Sequence, residues 1–277
     1  MKLKKILAVM MAGAMMLSMA ACGGEETTTA ESTGEQKTID GNVLDAEQYF
    51  NGYLSSEPTT LDSVTGNDTY SSSILTNSME PLTRLAEKDG ENVREGAAAE
   101  SWESNEDGTV WTFHLRDNKW SDGQPVTAND YVYAITRVLT PETGSPNSWL
   151  LTCVKNANAV LAGEMDPSEL GVKAVDDKTI EFTLESPTPY FLALTDTRVM
   201  MPQRQDIVEQ YGESYGAEAS NMVYNGPFKL ETWTHNSELI LVKNDQYWDA
   251  ENVNLQTINY KICLLYTSPS PRDKRQS

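Results

Sequence analysis

The sequence predicts a mixed α/β fold, and three observations carry that prediction. Residues 109–116 alternate apolar and polar side chains, as a half-buried strand does. Residues 127–138 instead repeat apolar side chains at helical spacing. Segments of both kinds are interspersed without internal repeats and without the strict alternation of a doubly wound sheet. The predicted folded part, residues 49–262, is large for one hydrophobic core, which favours two packed subdomains.

The first clear strand is the stretch 109–116. Trp111, Phe113 and Leu115 share one face of it, and the polar residues between them share the other, because successive side chains of a strand point to opposite faces. An Asp-Gly pair at 122–123 follows, a combination typical of turns. The strand is therefore predicted to pack one face on a core and to end before that turn.

Two helices are predicted next. Thr127 followed three residues later by Asp130 resembles a capping box, and apolar residues continue at helical spacing until Pro141 stops the helix. A second helix is predicted from about 147 to 162, with its end at Gly163, because glycine is favoured just beyond a helix C-terminus.

The rest of the folded part predicts a hairpin, a helix and three strands. Residues 172–175 and 179–184 flank a polar turn and alternate in character, which favours an antiparallel hairpin. Pro202 is suited to open a helix that runs to about Tyr215. Strands are predicted at 228–233, 238–242 and 257–262.

The N-terminus predicts a secretory signal of residues 1–21. Three lysines in the first five residues precede an apolar run, 6–19, which is shorter than the roughly 20 residues that a membrane-spanning helix needs. Ala20 and Ala21 then precede Cys22, which is expected to carry a lipid anchor after cleavage. The alternative is a plain secretory signal that is cut near Ala21.

Residues 22–48 predict a flexible acidic tether. They are rich in Gly, Thr, Ser and Glu, and they hold too few apolar side chains to form a core. The whole chain has a formal net charge of −20, and such a field repels phosphate backbones, so nucleic acid is not an expected partner.

The C-terminal residues 263–277 are predicted to be foreign to the natural protein. From Cys263 onward the sequence CLLYTSPSPRD resembles the translation of a sequencing adapter. We therefore expect the natural protein to continue beyond Ile262, and the alternative is a genuine polar tail.

No catalytic or metal-binding constellation is predicted. Residues 212–216 match the G-x-S-x-G pattern of serine hydrolases, but a helix is predicted before Ser214 where that motif needs a strand. The later His235 lies beside a predicted hairpin turn and has no obvious acidic partner to orient it. Neither His114 nor His235 falls in a metal spacing, and there is no phosphate-binding glycine motif, so no cofactor is expected.

Several motifs in the folded part resemble one known family. They are AESW at 99–102, WTFHLRD at 111–117, KWSDGQPVTA at 119–128, LGVKA at 170–174, PYF at 189–191, NG at 225–226 and YWD at 247–249. In this order they resemble the oligopeptide-binding proteins of the family 5 extracellular solute-binding group. The resemblance covers about residues 49 to 262.

The resemblance implies a periplasmic-binding-protein-like fold with two lobes, of which only the first is present here. Residues 49–262 would form that lobe, with 81–189 as an inserted subdomain. It further implies a monomeric binding protein rather than an enzyme. Such a protein would bind oligopeptides and deliver them to an ABC permease with cytoplasmic ATPase subunits, while anchored to the outer face of the cell membrane, in the periplasmic space if there are two membranes.

By aligned position, the resemblance also implies five ligand-contacting residues. These are Asn67, Asp68, Thr69, Asn147 and Asn225. Each has an alternative role as a turn former or helix cap.

Other functions remain open at this stage. The same fold could bind dipeptides, nickel, haem or sugars, since one fold carries many ligands. A secreted hydrolase using Ser214 and a purely structural or adhesive surface lipoprotein are the alternatives from other classes.

Overall fold

The structure, a computed structural model, describes residues 38–39 and 42–263. The predicted signal 1–21, the lipid-anchor candidate Cys22 and the residues after Cys263 lie outside the described residues. Within the described part, no helix combines the length and apolar character needed to cross a membrane. The chain divides into two compact units, one ending at Leu44 and the other beginning at Asp45.

The first unit contains one short antiparallel ladder, in which β1 (Thr38–Ile39) pairs with β2 (Asn42–Val43). This ladder lies in the predicted tether 22–48, whose flexibility stays a prediction. The sequence between the two strands is Asp-Gly, a pair that favours two-residue hairpin connections.

The second unit is a mixed α/β structure, as the sequence predicts. Its strands are β3 (Tyr49–Leu54), β4 (Thr83–Lys88), β5 (Glu91–Gly96), β6 (Ala99–Ser104), β7 (Val110–Leu115), β8 (Val172–Asp176), β9 (Thr179–Thr183), β10 (Phe228–Thr234), β11 (Glu238–Lys243) and β12 (Thr257–Ile262). Its α-helices are α1 (Thr69–Ser78), α2 (Ala128–Leu139), α3 (Ala157–Leu161), α4 (Phe191–Leu194) and α5 (Gln205–Tyr211).

One four-stranded sheet has the order β10-β11-β12-β3. The first three strands are antiparallel neighbours, whereas β3 pairs with β12 in parallel, with Leu54 opposite Ile262. Leu241 and Ile258, on neighbouring strands, are buried in the core. The strands predicted at 228–233, 238–242 and 257–262 are thus confirmed, each within one residue of its predicted end.

The second four-stranded sheet, β6-β7-β9-β8, is antiparallel throughout. The predicted strand at 109–116 is β7, and the predicted hairpin is formed by β8 and β9. Phe113 of β7 packs edge-on against Phe182 of β9, with ring centroids 5.7 Å apart, and Phe191 of α4 lies 5.2 Å from the same ring. This aromatic cluster joins the sheet to the neighbouring helix.

Helix α2 begins as predicted. The backbone N–H of Thr127 and its hydroxyl both donate to Asp130 Oδ2, at 2.8 and 3.1 Å. Tyr131 and Ile135 are fully buried. The helix ends at Leu139, just before Pro141, so its boundaries follow from local signals alone.

The helix predicted from 147 to 162 was wrong as one continuous element. A 3₁₀ helix, Ser148–Leu151, is separated from α3 by Asn156, which adopts a left-handed conformation with φ of 65°. Between them the backbone N–H of Lys155 donates to Thr183 O at 2.9 Å. This pairing with the end of β9 takes up backbone groups that a continuous helix would need.

The helix predicted from Pro202 begins later, as α5. The backbone N–H of Gln203 donates to Asp130 O at 3.0 Å, and its side chain is buried, so this part of the chain is extended. A 3₁₀ helix, Gly212–Ser214, follows α5.

The predicted subdomain boundaries separate the two large sheets in sequence. All four strands of the second sheet lie within 81–189, and those of the first lie outside it. The buried apolar residues of both nevertheless form one continuous cluster, and residues from Asp45 onward form a single compact unit. The inserted subdomain therefore stays a prediction.

Candidate functional site

Residues 63–69, which follow β3 and run into the first residue of α1, hold three of the five residues predicted to contact a ligand. Asn67 and Thr69 are exposed, and Asp68 between them is partly buried. We call this segment loop 63–69. It presents two polar side chains to solvent, and its backbone is held by hydrogen bonds from buried and partly buried side chains.

Asp62 anchors the start of this loop. Its Oδ1 accepts hydrogen bonds from the backbone N–H of Val64 at 3.0 Å and from Gln203 Nε2 at 2.7 Å. Its Oδ2 accepts from Arg137 Nη2 of helix α2 at 3.1 Å. Because this carboxylate and Gln203 are both buried, the network ties the loop to α2 and to the segment before α5.

Asp68 is the N-cap of α1. Its carboxylate accepts from the Ser71 backbone N–H at 2.8 Å, from the Ser71 hydroxyl at 2.5 Å and from the Thr59 hydroxyl at 2.6 Å. Burial raises the pKa of Asp68, but these hydrogen bonds from Ser71 and Thr59 outweigh it and lower the pKa to about 2. The carboxylate is therefore ionised at neutral pH, and its hydrogen bonds cap the N-terminus of α1.

Asn147 lies against the same loop. Its Nδ2 donates to the backbone oxygen of Gly66 at 3.0 Å, and the neighbouring Ser145 hydroxyl donates to Val64 O at 2.7 Å. The structure thus brings Asn147 to the loop that holds Asn67, although the two are 80 positions apart. Contact of these residues with a ligand stays a prediction.

Arg198 lies beneath the loop. Its Nε donates to Ser63 O at 3.2 Å and its Nη1 donates to the Ser72 hydroxyl at 3.3 Å. A Cβ placed on Gly66 would lie 2.8 Å from Arg198 Nη2, so the guanidinium would have to shift to make room for a side chain there. Burial lowers the pKa of Arg198, whereas the charges of Asp68 and Asp62 raise it.

Asn225 is separated from the other predicted residues. Its side chain is 0% exposed, and its Oδ1 accepts from Glu80 N at 2.9 Å while its Nδ2 donates to Glu80 O at 3.2 Å. Glu80 follows the C-terminal end of α1, whereas loop 63–69 precedes its N-terminal end. The side chain of Asn225 therefore stabilises the fold, and its predicted ligand contact stays a prediction.

Glu80 is itself a buried carboxylate. Its Oε1 accepts from Trp248 Nε1 at 3.1 Å, and the Arg116 guanidinium stacks 3.8 Å from the centroid of the Trp248 ring. Desolvation raises the pKa of Glu80 despite opposing hydrogen bonds from Tyr247 and Trp248. A cavity of about 310 Å³ lies beside it, lined by apolar residues such as Met79.

Ser214 does not stand in the context of a hydrolase nucleophile. It ends a 3₁₀ helix that directly follows α5, as the sequence predicts, and no strand precedes it. Both ring nitrogens of His235 are taken by carboxylates, since Nδ1 lies 2.6 Å from Glu57 Oε1 and Nε2 lies 3.2 Å from Glu218 Oε1. Neither nitrogen is left facing a serine hydroxyl.

The expectation that His235 lacks an acidic partner was wrong. Glu57 precedes loop 63–69 and Glu218 follows α5, so only the folded chain brings them to the β10–β11 turn. Three side chains of His, Cys, Asp or Glu that could together hold a metal ion are not found among residues 38–39 and 42–263.

Sequence reasoning missed the residues that support the loop. Asp62 could have been singled out as a turn-forming aspartate. Arg137, Gln203 and Arg198, in contrast, carry no local signal. Their roles depend on contacts with a segment that lies more than 60 positions away.

Comparison with known proteins identifies the class first. A substrate-binding domain of an oligopeptide ABC transporter from Bacillus anthracis matches this fold with a TM-score of 0.76 and 46% identity, over 79% of this chain and 42% of that chain. OppA of Listeria monocytogenes bound to peptide matches with a TM-score of 0.75 and 39% identity, over 79% and 43%. The fold is therefore that of a periplasmic-binding-protein-like ligand-binding protein.

The family follows from the sequence match. The model of the family "Bacterial extracellular solute-binding proteins, family 5 Middle" matches residues 94–270. This is more than half of the chain, so the chain belongs to this family. The probable deoxycholate-binding periplasmic protein YgiS of Escherichia coli is 37% identical over 220 residues, 78% of this chain and 40% of that protein.

The extent of these matches bears on the prediction that only one of two lobes is present and on the prediction that residues 263–277 are foreign. The chain spans about two fifths of the length of the relatives it matches, 40% of YgiS and 42% of the Bacillus anthracis chain. The family match continues past Ile262 to residue 270, whereas the resemblance was expected to end at Ile262. The foreign origin of 263–277 therefore stays a prediction.

Proposed function

We propose that the protein represented by this chain captures oligopeptides outside the cytoplasm and delivers them to an ABC-type permease. The observation that carries the proposal is the 39% identity and TM-score of 0.75 with the Listeria monocytogenes OppA structure, which contains a peptide. A binding protein uses contacts rather than catalytic groups, and the predicted contact residues here are three amides, one hydroxyl and the carboxylate of Asp68.

Loop 63–69 is the proposed peptide platform. Asn67 and Thr69 are exposed, and the loop backbone is anchored by Asp62 and by the amide of Asn147. An extended peptide can hydrogen-bond to such a backbone as an added strand would, which binds the main chain without selecting a sequence. Because its carboxylate already has its donors, Asp68 would shape the loop while its neighbours contact the peptide.

The chain would supply the first of two lobes. Residues 49–262, with 81–189 inserted, would form one wall of a cleft, and the part of the relatives' length that this chain does not span would form the other. Closure of two lobes about a hinge then trades exposed cleft surface for ligand contacts. The permease would recognise the closed form.

The remaining predictions concern attachment. We propose that Cys22 carries the lipid, that residues 22–48 space the domain from the membrane, and that the protein acts as a monomer on the outer face of the cell membrane. Two acyl chains on one residue would hold it there, because a single chain binds only marginally. A Cys22→Ser variant of the full-length protein should appear in the culture medium, and retention on the cells would contradict the anchor.

The test of function is calorimetric titration of the full-length gene product with defined tri-, tetra- and hexapeptides. Dipeptides, nickel, haem, sugars and deoxycholate are titrated in parallel, the last because YgiS carries that ligand in its name. We expect micromolar or tighter binding of the longer peptides with little dependence on sequence. Binding of one of the parallel ligands alone would replace the peptide proposal.

Two controls complete the test. Asn67→Ala and Asn147→Ala should weaken peptide binding, whereas Asn252→Ala, which removes an exposed amide that is not among the predicted contact residues, should not. Hydrolysis of peptides or esters that is lost on Ser214→Ala would instead support the hydrolase alternative.

A further inference from the structure

Arg198 makes contacts with both ends of the segment that contains loop 63–69. Its Nε donates to Ser63 O at 3.2 Å, at the start of the loop, and its Nη1 donates to the Ser72 hydroxyl at 3.3 Å, in the first turn of α1. The Ser72 hydroxyl in turn donates to Asp68 O at 3.0 Å. One guanidinium therefore connects the two residues that bracket the exposed Asn67.

The middle of the loop closes over the same group. A Cβ on Gly66 would lie 2.8 Å from Arg198 Nη2 and 3.1 Å from Asp62 O. Real Cβ atoms essentially never come within 3.0 Å of another atom, so a side chain at residue 66 would require the end of the Arg198 side chain to move, and in this sense Gly66 and Arg198 form a matched pair. The absence of a side chain at one allows the loop to rest on the other.

This arrangement is not what stability alone would favour. Arg198 Nη2 is buried and makes no hydrogen bond to any atom in the part of the chain that the structure describes. Buried polar atoms without partners are uncommon in native proteins and call for an explanation, and apolar side chains are often as stabilising as buried charges.

The shape of the side chain supplies an explanation. A guanidinium is planar, and its donors point in set directions, so its contacts with Ser63 and Ser72 hold two backbone positions in one geometry. A lysine ammonium has no such plane and can satisfy one of these acceptors without holding the other. A lysine would keep the positive charge but would lose the planar, fork-shaped arrangement of N–H donors.

We propose that Arg198 is a positioning residue of the ligand site, which holds loop 63–69 in the conformation that presents Asn67 and Thr69. It acts through the loop and does not itself touch the ligand. This inference rests on the proposed function, because it assigns a role to the backbone that would bind the peptide.

The test compares two arginines in the full-length protein. Arg198→Lys is matched by Arg204→Lys, since Arg204 lies six residues further on and pairs instead with Asp206 and Asp122 at the surface. We expect Arg198→Lys to weaken peptide binding on the order of tenfold through lost preorganisation, while its Tm stays close to that of Arg204→Lys. Equal Kd values for the two variants would overturn the proposal.

A measurement without ligand separates this inference from the proposed function. Hydrogen exchange of the backbone amides of residues 63–72 should accelerate in Arg198→Lys, while exchange in α2 stays as in the wild type. If the wild type binds no peptide, the proposed function fails, and the exchange pattern still tests the positioning role. Unchanged exchange at 63–72 would overturn it.

A double-mutant cycle guards against a variant that folds poorly. Gly66→Ala should disturb the native loop when Arg198 is present and so weaken peptide binding. Part of this loss of affinity should be recovered in Gly66→Ala combined with Arg198→Gln, because the shorter side chain clears the added methyl. Additive effects of the two changes would contradict the matched pair.

Discussion

The side chain of Asn225 hydrogen-bonds to both backbone polar groups of Glu80. The Glu80 N–H donates to Asn225 Oδ1 at 2.9 Å, and Asn225 Nδ2 donates to Glu80 O at 3.2 Å. The two residues are 145 positions apart, and the pair joins the end of α1 to the start of β10. A side chain thus replaces the strand partner that a buried backbone segment would otherwise need.

Asn225→Ala should destabilise the protein by about 2 kcal/mol, because it leaves the buried N–H of Glu80 without an acceptor. The carbonyl of Glu80 keeps a second donor, the Tyr131 hydroxyl at 3.1 Å, so only the N–H is orphaned. Urea unfolding followed by tryptophan fluorescence measures the change. Asn252→Ala, at an exposed position, should stay within about 0.5 kcal/mol of the wild type. A smaller loss for Asn225→Ala than for this control would refute the assignment.

Gly216→Ala should be more damaging than Gly108→Ala. The two glycines have nearly equal positive φ angles, 76° and 71°, so the conformational strain of alanine is similar at both. A Cβ on Gly216 would lie 2.3 Å from Asp62 N, whereas nothing lies within 4 Å of one on Gly108. The difference in unfolding free energy isolates the close approach, and we expect it to exceed about 1 kcal/mol. Equal losses would show that the backbone near Asp62 can yield.

Stability should fall as the pH rises past neutrality in a way that depends on His235. The hydrogen bond that the His235 ring donates to the Glu57 carboxylate raises the pKa of His235, and Glu218 adds to the effect. The folded state therefore holds the proton more tightly than the unfolded state, so this stabilisation is complete below the unfolded value of 6.5 and is lost as pH rises through the higher folded pKa.

The measurement is thermal unfolding between pH 5 and 9 of the wild type and of Glu218→Gln. Removal of one carboxylate should narrow the pH range over which the loss occurs, because the folded pKa moves back toward its ordinary value. His235→Gln should abolish this component of the profile. Identical profiles for all three proteins would mean that the ring does not hold its proton in the fold.

Arg137→Met should destabilise the protein strongly, by about 3 kcal/mol, because it removes the guanidinium that is directly ion-paired with the buried carboxylate of Asp62. The change also removes a donor to Gln203. Chemical unfolding measures the loss. The double variant Arg137→Met with Asp62→Asn should recover part of it, since the charge that needed compensation is then absent. No recovery would place the cost in packing rather than charge.

Elements that depend on local signals were predicted well. The alternation of Trp111, Phe113 and Leu115 predicts β7, and the spacing of Thr127 and Asp130 predicts the start of α2. These signals act over a few residues, where strand alternation or a capping hydrogen bond is decided by neighbours in the chain. The hairpin of β8 and β9 follows for the same reason.

The failures occurred where distant segments compete for the backbone. A helix over 147–162 satisfies the local pattern, but Lys155 pairs with Thr183 and Asn156 turns to the left-handed conformation. Likewise, the carboxylates that pair with His235 are those of Glu57, 178 positions away, and Glu218, 17 positions away, rather than the acids next to it in sequence. Periodicity cannot report such contacts, because it describes only which face of an element is apolar.

The sequence by itself determined the mixed α/β class, the family resemblance and the choice of the position of Asn67 and Thr69 as a candidate ligand contact. Only the tertiary structure decided how that position is supported: Asp62 from one side, Asn147 from another and Arg198 from beneath. The physical reason is range. Helix caps and strand alternation involve residues a few positions apart, whereas these hydrogen bonds join segments whose proximity depends on the path of the whole chain.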